Sequence, residues 1–182
     1  MRSYREHLEH LRPRCNRMTT RQRRSHVKVG LCRPLSASRR GQSNDDTIAR
    51  MWIYIQRTGN LYHSSPPVLK TLVGSGYSGY GQYKNDPASQ CFQDLGPIPR
   101  GAWTIGPLQD NSTSSGHVLS NSMRLTPGAS TATCQRDGFL MHGDNSTGVA
   151  SAGCIVLPLA VRQSVDNSDD ADLTVVAEES DV

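Results

Sequence analysis

Residues 95–106 read Leu-Gly-Pro-Ile-Pro-Arg-Gly-Ala-Trp-Thr-Ile-Gly, the clearest sign of β structure in the chain. Prolines and a glycine restrict the backbone just ahead of a segment in which Trp103 and Ile105 alternate with Ala102 and Thr104. Successive side chains of a β-strand point to opposite faces, so Trp103 and Ile105 share a face, which we expect to belong to the core. The sequence thus predicts a rigid turn that leads into a half-buried strand.

Short strand-like segments continue over the whole chain from Met51 onward. Runs of β-branched and aromatic residues alternate with Gly, Pro, Asn and Asp at close intervals, which is typical of an all-β domain. Glycine and proline recur too often for a long helix, and only residues 158–163 are suited to one helical turn. We predict a mainly β protein, a compact sandwich or barrel with little helix. The predicted strands are 52–55, 61–63, 102–106, 118–119, 123–126, 138–142, 154–157 and 173–176, and the predicted loops include 74–90 and 109–117.

Residues 1–50 differ from the rest of the chain in charge. They hold 13 of the 20 Lys and Arg but 4 of the 16 Asp and Glu, whereas residues 51–182 carry a net negative charge. The basic segment has neither an apolar stripe nor a Cys/His metal spacing, so we expect no nucleic-acid binding. We expect residues 1–50 to be a disordered tail, or to lie outside a native product that begins at Met51, and residues 51–182 to form the catalytic domain.

The cysteines and the apolar segments limit the remaining possibilities. No apolar run approaches the ~20 residues that span a bilayer, and we expect neither a transmembrane segment nor an ordinary signal peptide. The five cysteines lack the spacing of a zinc site, so we predict no metal and no cofactor. Cys91 and Cys134 lie in predicted loops, where a disulfide and two free thiols are both compatible with the sequence.

His142 and Cys154 are the residues that point most strongly to chemistry. His142 ends the predicted strand 138–142, and Cys154 begins the predicted strand 154–157. A thiol becomes a nucleophile when a nearby base accepts its proton, and imidazole can do so near neutral pH. Gly153 leaves room for the backbone amides of residues 153 and 154 to face a bound carbonyl oxygen. The alternative for both residues is a structural place in the core.

The residues around this pair resemble the active-site signature of the L,D-transpeptidases. His142-Gly143, followed by Ser-Ala-Gly-Cys-Ile at 151–155, is similar to the segment in which the cysteine is acylated and the histidine is its base. Residues 96–105 resemble a stretch found ahead of that site in the same enzymes. The sequence departs from the commonest signature at Ala152 and Val156, where a second histidine and an arginine are usual.

A further segment narrows the resemblance to one subgroup. Tyr77-Ser78-Gly79, with Asn85 and Pro87, is similar to the corresponding region of the compact L,D-transpeptidase-like effectors of type VI secretion. The likeness covers about residues 51–180 and leaves the basic segment outside it.

The resemblance implies roles for individual residues. Cys154 would be the nucleophile and His142 its base, with Ser151 orienting the imidazole through its hydroxyl or its carbonyl group. The amides of Gly153 and Cys154 would stabilise the oxyanion. The residues expected to contact substrate are Gly143, Tyr77, Ser78 and Tyr80.

The same resemblance implies a function. The expected activity is L,D-carboxypeptidase and L,D-transpeptidase chemistry, including D-amino acid exchange, on the tetrapeptide stems of peptidoglycan. A monomeric effector would leave the producing cell through a type VI system and act as an antibacterial toxin in the periplasm of a target bacterium. Secretion components and a cognate immunity protein would be its partners.

Other classes of function remain open at this point. A noncatalytic cell-wall-binding or partner-binding β module would bury Cys154 as a structural residue. A housekeeping enzyme that cross-links peptidoglycan would share the chemistry but not the target. A metal hydrolase or a cysteine protease of another fold would use the same residue types in a different arrangement.

Overall fold

The computed structural model describes residues 50–113 and 115–182. The predicted basic tail, apart from Arg50, lies outside the described residues. Within them the chain forms ten strands and one α-helix, together with three short 3-10 turns. The strands are β1 Met51–Ile55, β2 Asn60–Ser65, β3 Val68–Ser75, β4 Tyr77–Ser78, β5 Gly101–Ile105, β6 Gln109–Ser112, β7 Val118–Pro127, β8 Leu140–His142, β9 Ile155–Val156 and β10 Asp172–Val176, and the helix α1 is Leu159–Asp166.

The strands hydrogen-bond in the order β3-β2-β1-β10-β5-β7-β8-β9-β4, and β6 pairs with β7. β1 runs parallel to β10, and β8 runs parallel to β9. A parallel pair needs a crossover, and the segment between β8 and β9 is the crossover that carries the chain from His142 to Cys154. The mixed sheet therefore brings the two residues to neighbouring strands.

One hydrophobic cluster joins the two halves of the sheet. Strands β1, β5 and β10 contribute large side chains to it, and so do β7, β8 and β9. The cluster consists of Trp52, Tyr54, Leu61, Ile98, Trp103, Ile105, Met123, Leu125, Phe139, Met141, Ile155, Leu157, Val161, Val165, Leu173 and Val175. The prediction of a mainly β fold is confirmed, as is the common buried face of Trp103 and Ile105.

Three strands, β3, β4 and β6, were not predicted from the sequence, and β4 lies within the predicted loop 74–90. β3 lies at an edge of the sheet and leaves Val68, Leu69 and Leu72 exposed. Its sequence, Val-Leu-Lys-Thr-Leu-Val-Gly-Ser, does not alternate apolar with polar residues, so it lacks the pattern of a half-buried strand. β6 has the sequence Gln-Asp-Asn-Ser and was predicted as part of a loop. It pairs with β7, where the buried Asn111 amide donates to the Ser122 carbonyl at 3.0 Å. Pairing through polar groups leaves no apolar pattern to recognise.

Two other elements are longer than predicted. β7 is continuous through residues 120–122, which the sequence suggested as a break, and Asn121 adopts a positive φ of 50° within it. Asparagine tolerates this left-handed conformation better than most residues. α1 has eight residues where one turn was predicted, and it buries Val161, Arg162 and Val165.

His63, for which the sequence suggested no partner, has one in the structure. Its Nε2 lies 2.5 Å from Asp170 Oδ2, and its ring stacks on Trp52 with 4.4 Å between ring centroids. These contacts join β2 to β1 and to the segment ahead of β10. Separately, the described residues include no helix long and apolar enough to span a membrane.

Candidate active site

His142 is the last residue of β8 and is fixed from several sides. It lies opposite Val156 of β9, and only 2% of its surface is exposed. Its Nδ1 lies 2.6 Å from the carbonyl oxygen of Gly143. A carbonyl only accepts hydrogen bonds, so this contact requires the proton on Nδ1 and makes Nε2 the basic nitrogen of the neutral ring. The imidazole is therefore held in the tautomer that a general base needs.

The surroundings of His142 favour its neutral form. Burial lowers the pKa of the imidazole below its ordinary value, and the positive charge of Arg162 acts in the same direction. The Gly143 carbonyl and Asp144 act against this shift without reversing it. His142 is thus an unprotonated base at neutral pH.

Cys154 lies immediately before β9 and is the free cysteine of the described residues. It is partly exposed, and its Sγ accepts the backbone N–H of Leu140 at 3.3 Å. Burial raises the pKa of the thiol, while the Leu140 N–H and the charges of Arg136 and Arg124 act in the opposite direction. The side chain of Cys154 is consequently a neutral, partly exposed thiol.

The two residues lie on adjacent parallel strands and are separated by two positions in register. His142 pairs with Val156, and Cys154 comes two residues before Val156. Ideal strand geometry, with about 4.8 Å between strands and about 3.3 Å per residue, puts their Cα atoms roughly 8 Å apart. In the described structure Sγ forms no hydrogen bond to the imidazole, because it faces the backbone of Leu140 and Gly138. The fold therefore places the two side chains in the same region, but no hydrogen bond connects them in this conformation.

Ser151 lies between the two residues in sequence but does not contact His142 as expected. Its hydroxyl donates to the Cys154 carbonyl at 2.7 Å and accepts the amides of Gly79 at 2.9 Å and Gly153 at 3.1 Å. One donor and two acceptor sites are the full capacity of a hydroxyl. Ser151 therefore fixes the turn that presents Cys154, and the orienting group seen at His142 is the Gly143 carbonyl.

The predicted oxyanion donors differ in availability. The Gly153 amide is already bonded to the Ser151 hydroxyl. Within the described part of the chain, the Cys154 amide has no such partner. Of the expected pair, Cys154 is the donor that remains free in this conformation.

The residues expected to contact substrate fall into two groups. Ser78 is fully buried, and its hydroxyl donates to the Gly153 carbonyl and accepts the Ile98 amide. It is part of the scaffold and does not reach a substrate. Tyr80, by contrast, is 45% exposed, and Gly143 is partly exposed.

Tyr77 connects the site to the loop between His142 and Cys154. Its hydroxyl donates to Asp144 at 2.6 Å and accepts the Ala150 amide at 2.9 Å. Lys84 Nζ lies 3.8 Å from the centroid of the Tyr77 ring and donates to the Gly148 carbonyl. Tyr77 and Asp144 also line a cavity of about 210 Å³ beside this loop, together with Ser75, Gly76, Val156, Leu157 and Pro158. Neither His142 nor Cys154 lines this cavity.

Arg136 and Arg162 are near the pair, and neither was singled out from the sequence. Arg162 on α1 donates to the Leu157 and Asn121 carbonyls and lies close to Gly143. Arg136 lies in the β7–β8 connection and contacts the segment ahead of Cys154. Arg136 is an isolated arginine in a polar loop and Arg162 is an isolated arginine on a short helix, so neither carries a local sign of burial in the sequence.

Cys91 and Cys134, for which the sequence left the pairing open, form a disulfide with a Cα–Cα distance of 5.1 Å. The bridge joins the loop that carries Gln90 to the loop that carries Arg136. The bridge therefore lies close in sequence to Gln90 and to Arg136. Arg136 donates to the carbonyls of Gln90 and of Ala152, and Ala152 belongs to the turn at residues 151–154 that we call the nucleophile turn.

The model of the Tlde1 domain family matches residues 73–176, more than half of the chain and all of the site described above. The chain belongs to this family. Tlde1 domains are type VI secretion effectors of the L,D-transpeptidase type, in agreement with the resemblance seen at His142 and Cys154. No curated protein and no solved structure matches the sequence significantly. The residues that match the Tlde1 domain run from within β3 to the end of β10. They include the disulfide, Arg136 and both candidate catalytic residues.

Proposed function

We propose that this Tlde1 domain is a cysteine enzyme that acts on the tetrapeptide stems of peptidoglycan, with Cys154 as nucleophile and His142 as base. The observation that carries the proposal is the arrangement of the two strand ends. A partly exposed thiol immediately precedes one strand, and the parallel neighbouring strand ends at a histidine whose Nδ1 donates to the Gly143 carbonyl. A base oriented by a third group, next to a nucleophile, is the arrangement that activates thiols.

The first half of the reaction forms an acyl-enzyme. Rotation about the Cα–Cβ bond of Cys154 turns Sγ from Leu140 toward Nε2 of His142. His142 accepts the thiol proton as Sγ attacks the carbonyl carbon of the third stem residue, and the Cys154 amide stabilises the oxyanion. The amide bond to the terminal D-amino acid then breaks, and the imidazolium donates its proton to the departing amine.

The second half releases the acyl group from the thioester. A water molecule or an amine attacks the carbonyl carbon and gives its proton to His142, and the imidazolium then returns a proton to the thiolate. Water gives L,D-carboxypeptidase activity, a free D-amino acid gives exchange, and the amine of another stem gives a cross-link. Splitting the exchange into two steps replaces one difficult amide reaction by two easier ones.

Membership of the Tlde1 family supports a role as an antibacterial effector. A type VI system would carry the protein from the producing cell to the periplasm of a target bacterium, where stems are exposed. A cognate immunity protein would protect the producer, and the enzyme would act as a monomer. These assignments rest on the family and on the proposed chemistry at Cys154.

The direct test is product analysis. The purified protein is incubated with a disaccharide tetrapeptide, with and without a free D-amino acid, and products are followed by mass spectrometry. We expect loss of the terminal residue, exchange when the amino acid is present, and a thioester adduct on Cys154. Cys154→Ala and His142→Ala should lower turnover by at least about 10³-fold and 10²-fold. Unchanged tetrapeptide with the folded wild-type protein would remove the assignment.

A noncatalytic binding module is the second candidate, and one observation favours it. Sγ forms no hydrogen bond to His142 within the described residues, and burial raises the pKa of the thiol. Peptide-resolved alkylation separates the two candidates. A Cys154 that reacts no faster than an ordinary thiol, and no slower in His142→Ala, would favour the binding module.

A further inference from the structure

Arg136 is a buried cation with an unusual set of partners. Only 5% of its surface is exposed, yet its guanidinium forms no salt bridge in the described residues. Its Nη1 donates to the carbonyls of Gln90 and Pro97 at 2.5 and 2.8 Å. Its Nη2 donates to the carbonyls of Gly96 and Ala152 at 2.8 and 3.1 Å. All four of these hydrogen bonds therefore go to backbone carbonyls.

This arrangement links the nucleophile turn to the loop at residues 90–97. The Ala152 carbonyl belongs to the turn, and the other carbonyls belong to the loop. Gly153 follows directly, with a positive φ of 125°. A Cβ at Gly153 would lie 2.0 Å from Nη2 of Arg136, so the guanidinium occupies the space that any larger residue would need. The glycine before the nucleophile is required by the arginine as well as by the backbone.

A buried charge is costly unless it is paired or hydrogen-bonded, and at Arg136 four carbonyls reduce that cost without a salt bridge. Asp94 lies near Arg136 without forming a salt bridge in the described structure, and the ring of Phe139 lies 5.2 Å from its guanidinium carbon. Cys154 is the group nearby that gains negative charge during the proposed reaction. A cation that forms no salt bridge in the described structure thus lies near a thiol that becomes an anion only transiently in the proposed reaction.

We propose that Arg136 is a positioning residue of the reaction, which holds the Ala152–Gly153 turn and supplies the positive charge that balances the Cys154 thiolate. The proposal rests on the proposed function of Cys154 as nucleophile. Arg136 acts through the turn and through its charge, and does not contact the substrate.

The charges around Cys154 come from several elements. Arg136 lies in the β7–β8 connection, Arg124 on β7 and His142 on β8, and the Leu140 N–H points at the sulfur. Burial raises the pKa of the thiol, whereas Arg136 and Arg124 lower it. Arg124 is exposed, so its charge is screened by solvent, and Arg136 is the cation held in a fixed place by four carbonyls.

The test measures the thiol itself and requires no peptidoglycan. The full chain is alkylated with iodoacetamide over a range of pH, and the peptide that contains Cys154 is followed by mass spectrometry, because the chain also contains Cys15 and Cys32. Removing a nearby opposite charge shifts a pKa by about one unit or more. We expect Arg136→Gln to move the alkylation midpoint to higher pH by about one unit and to slow alkylation about tenfold near neutral pH.

Arg100→Gln is the matched control. Arg100 is an exposed arginine that donates to the Gln90 side chain, so its removal changes the net charge equally but leaves the turn intact. We expect the wild-type midpoint for this variant. A folded Arg136→Gln protein with the wild-type midpoint would overturn the proposal, even if its turnover were lost, because Arg136 would then be merely structural.

Arg136→Lys decides the question if the glutamine variant does not fold. Lysine keeps the charge but lacks the planar fork that reaches four carbonyls. We expect a midpoint close to that of the wild type with turnover reduced several-fold, and a variant equal to the wild type in both measures would count against the proposal. A midpoint shift in Arg136→Gln, with no conversion of tetrapeptide by the wild type, would support the charge coupling and count against the proposed function alone.

Discussion

His142 and Cys154 carry pKa shifts in opposite directions, and the main cause is the same. Burial lowers the pKa of the imidazole and raises that of the thiol, because it penalises the charged form of each. The resting pair is therefore a neutral base and a neutral thiol, with no ion pair formed before substrate binds. In the proposed reaction the proton moves when Sγ attacks, so the imidazole must be unprotonated at that moment.

The lowered pKa of His142 predicts the acid limb of the pH profile. The base form is needed, so activity falls as the pH drops through the pKa of the folded enzyme. Because that pKa is lowered, the midpoint of kcat/KM should lie below the ordinary imidazole value of ~6.5. Steady-state rates on tetrapeptide measure it, with thermal melting at each pH to exclude unfolding. A midpoint at or above the ordinary value would show that burial does not dominate at His142.

At the scale of elements, β4 acts as a support for the nucleophile turn. The Ser78 hydroxyl of β4 donates to the Gly153 carbonyl, and the amide of the following Gly79 donates to the Ser151 hydroxyl. The Tyr77 hydroxyl donates to Asp144 and accepts the Ala150 amide. The sequence places these residues in a Gly-rich loop and suggests contacts with substrate. A strand of two residues has no periodicity, so its pairing with β9 is set by long-range contacts that no local pattern reveals.

Removing the Tyr77 hydroxyl should release the loop between His142 and Cys154. Tyr77→Phe loses its bonds to Asp144 and Ala150, which together stabilise this largely exposed loop by about 1–2 kcal/mol. We expect amide exchange in residues 144–150 to become about tenfold faster while exchange in β1 and β10 is unchanged. Hydrogen-exchange mass spectrometry gives both values.

Tyr80→Phe is the control for this change. Tyr80 is exposed, and within the described residues its hydroxyl has no hydrogen-bond partner, so the loop should exchange at the wild-type rate. Equal exchange in the Tyr77 and Tyr80 variants would mean that the loop is held by its own Asn145 contacts, which cap Thr147 and Val149.

At the scale of the whole molecule, the sequence predicts what depends on local pattern and misses what depends on distant partners. The strands with alternating or continuous apolar residues are found where they were predicted, because burial in one core imposes that pattern. The polar strand β6 and the exposed edge β3 escape prediction. His142 and Cys154 stand out by motif, whereas Arg136 acquires its place only when loops 46 residues apart, at Gln90 and Arg136, come together.

The disulfide between Cys91 and Cys134 links the loops that carry Gln90 and Arg136. Its loss should lower the stability of the protein and change the reactivity of Cys154. A bridge across 43 residues stabilises by about 4 kcal/mol in the chain-entropy account. In a Cys15→Ser, Cys32→Ser background, we expect Cys91→Ser with Cys134→Ser to lower the free energy of unfolding by up to this amount in denaturant titrations. Cys154 alkylation should also slow, because Gln90 and Arg136 lie beside the bridge. Reductant should weaken the parent and leave the double variant unchanged. Equal stability of both proteins under oxidising conditions would show that the loops are held without the bridge.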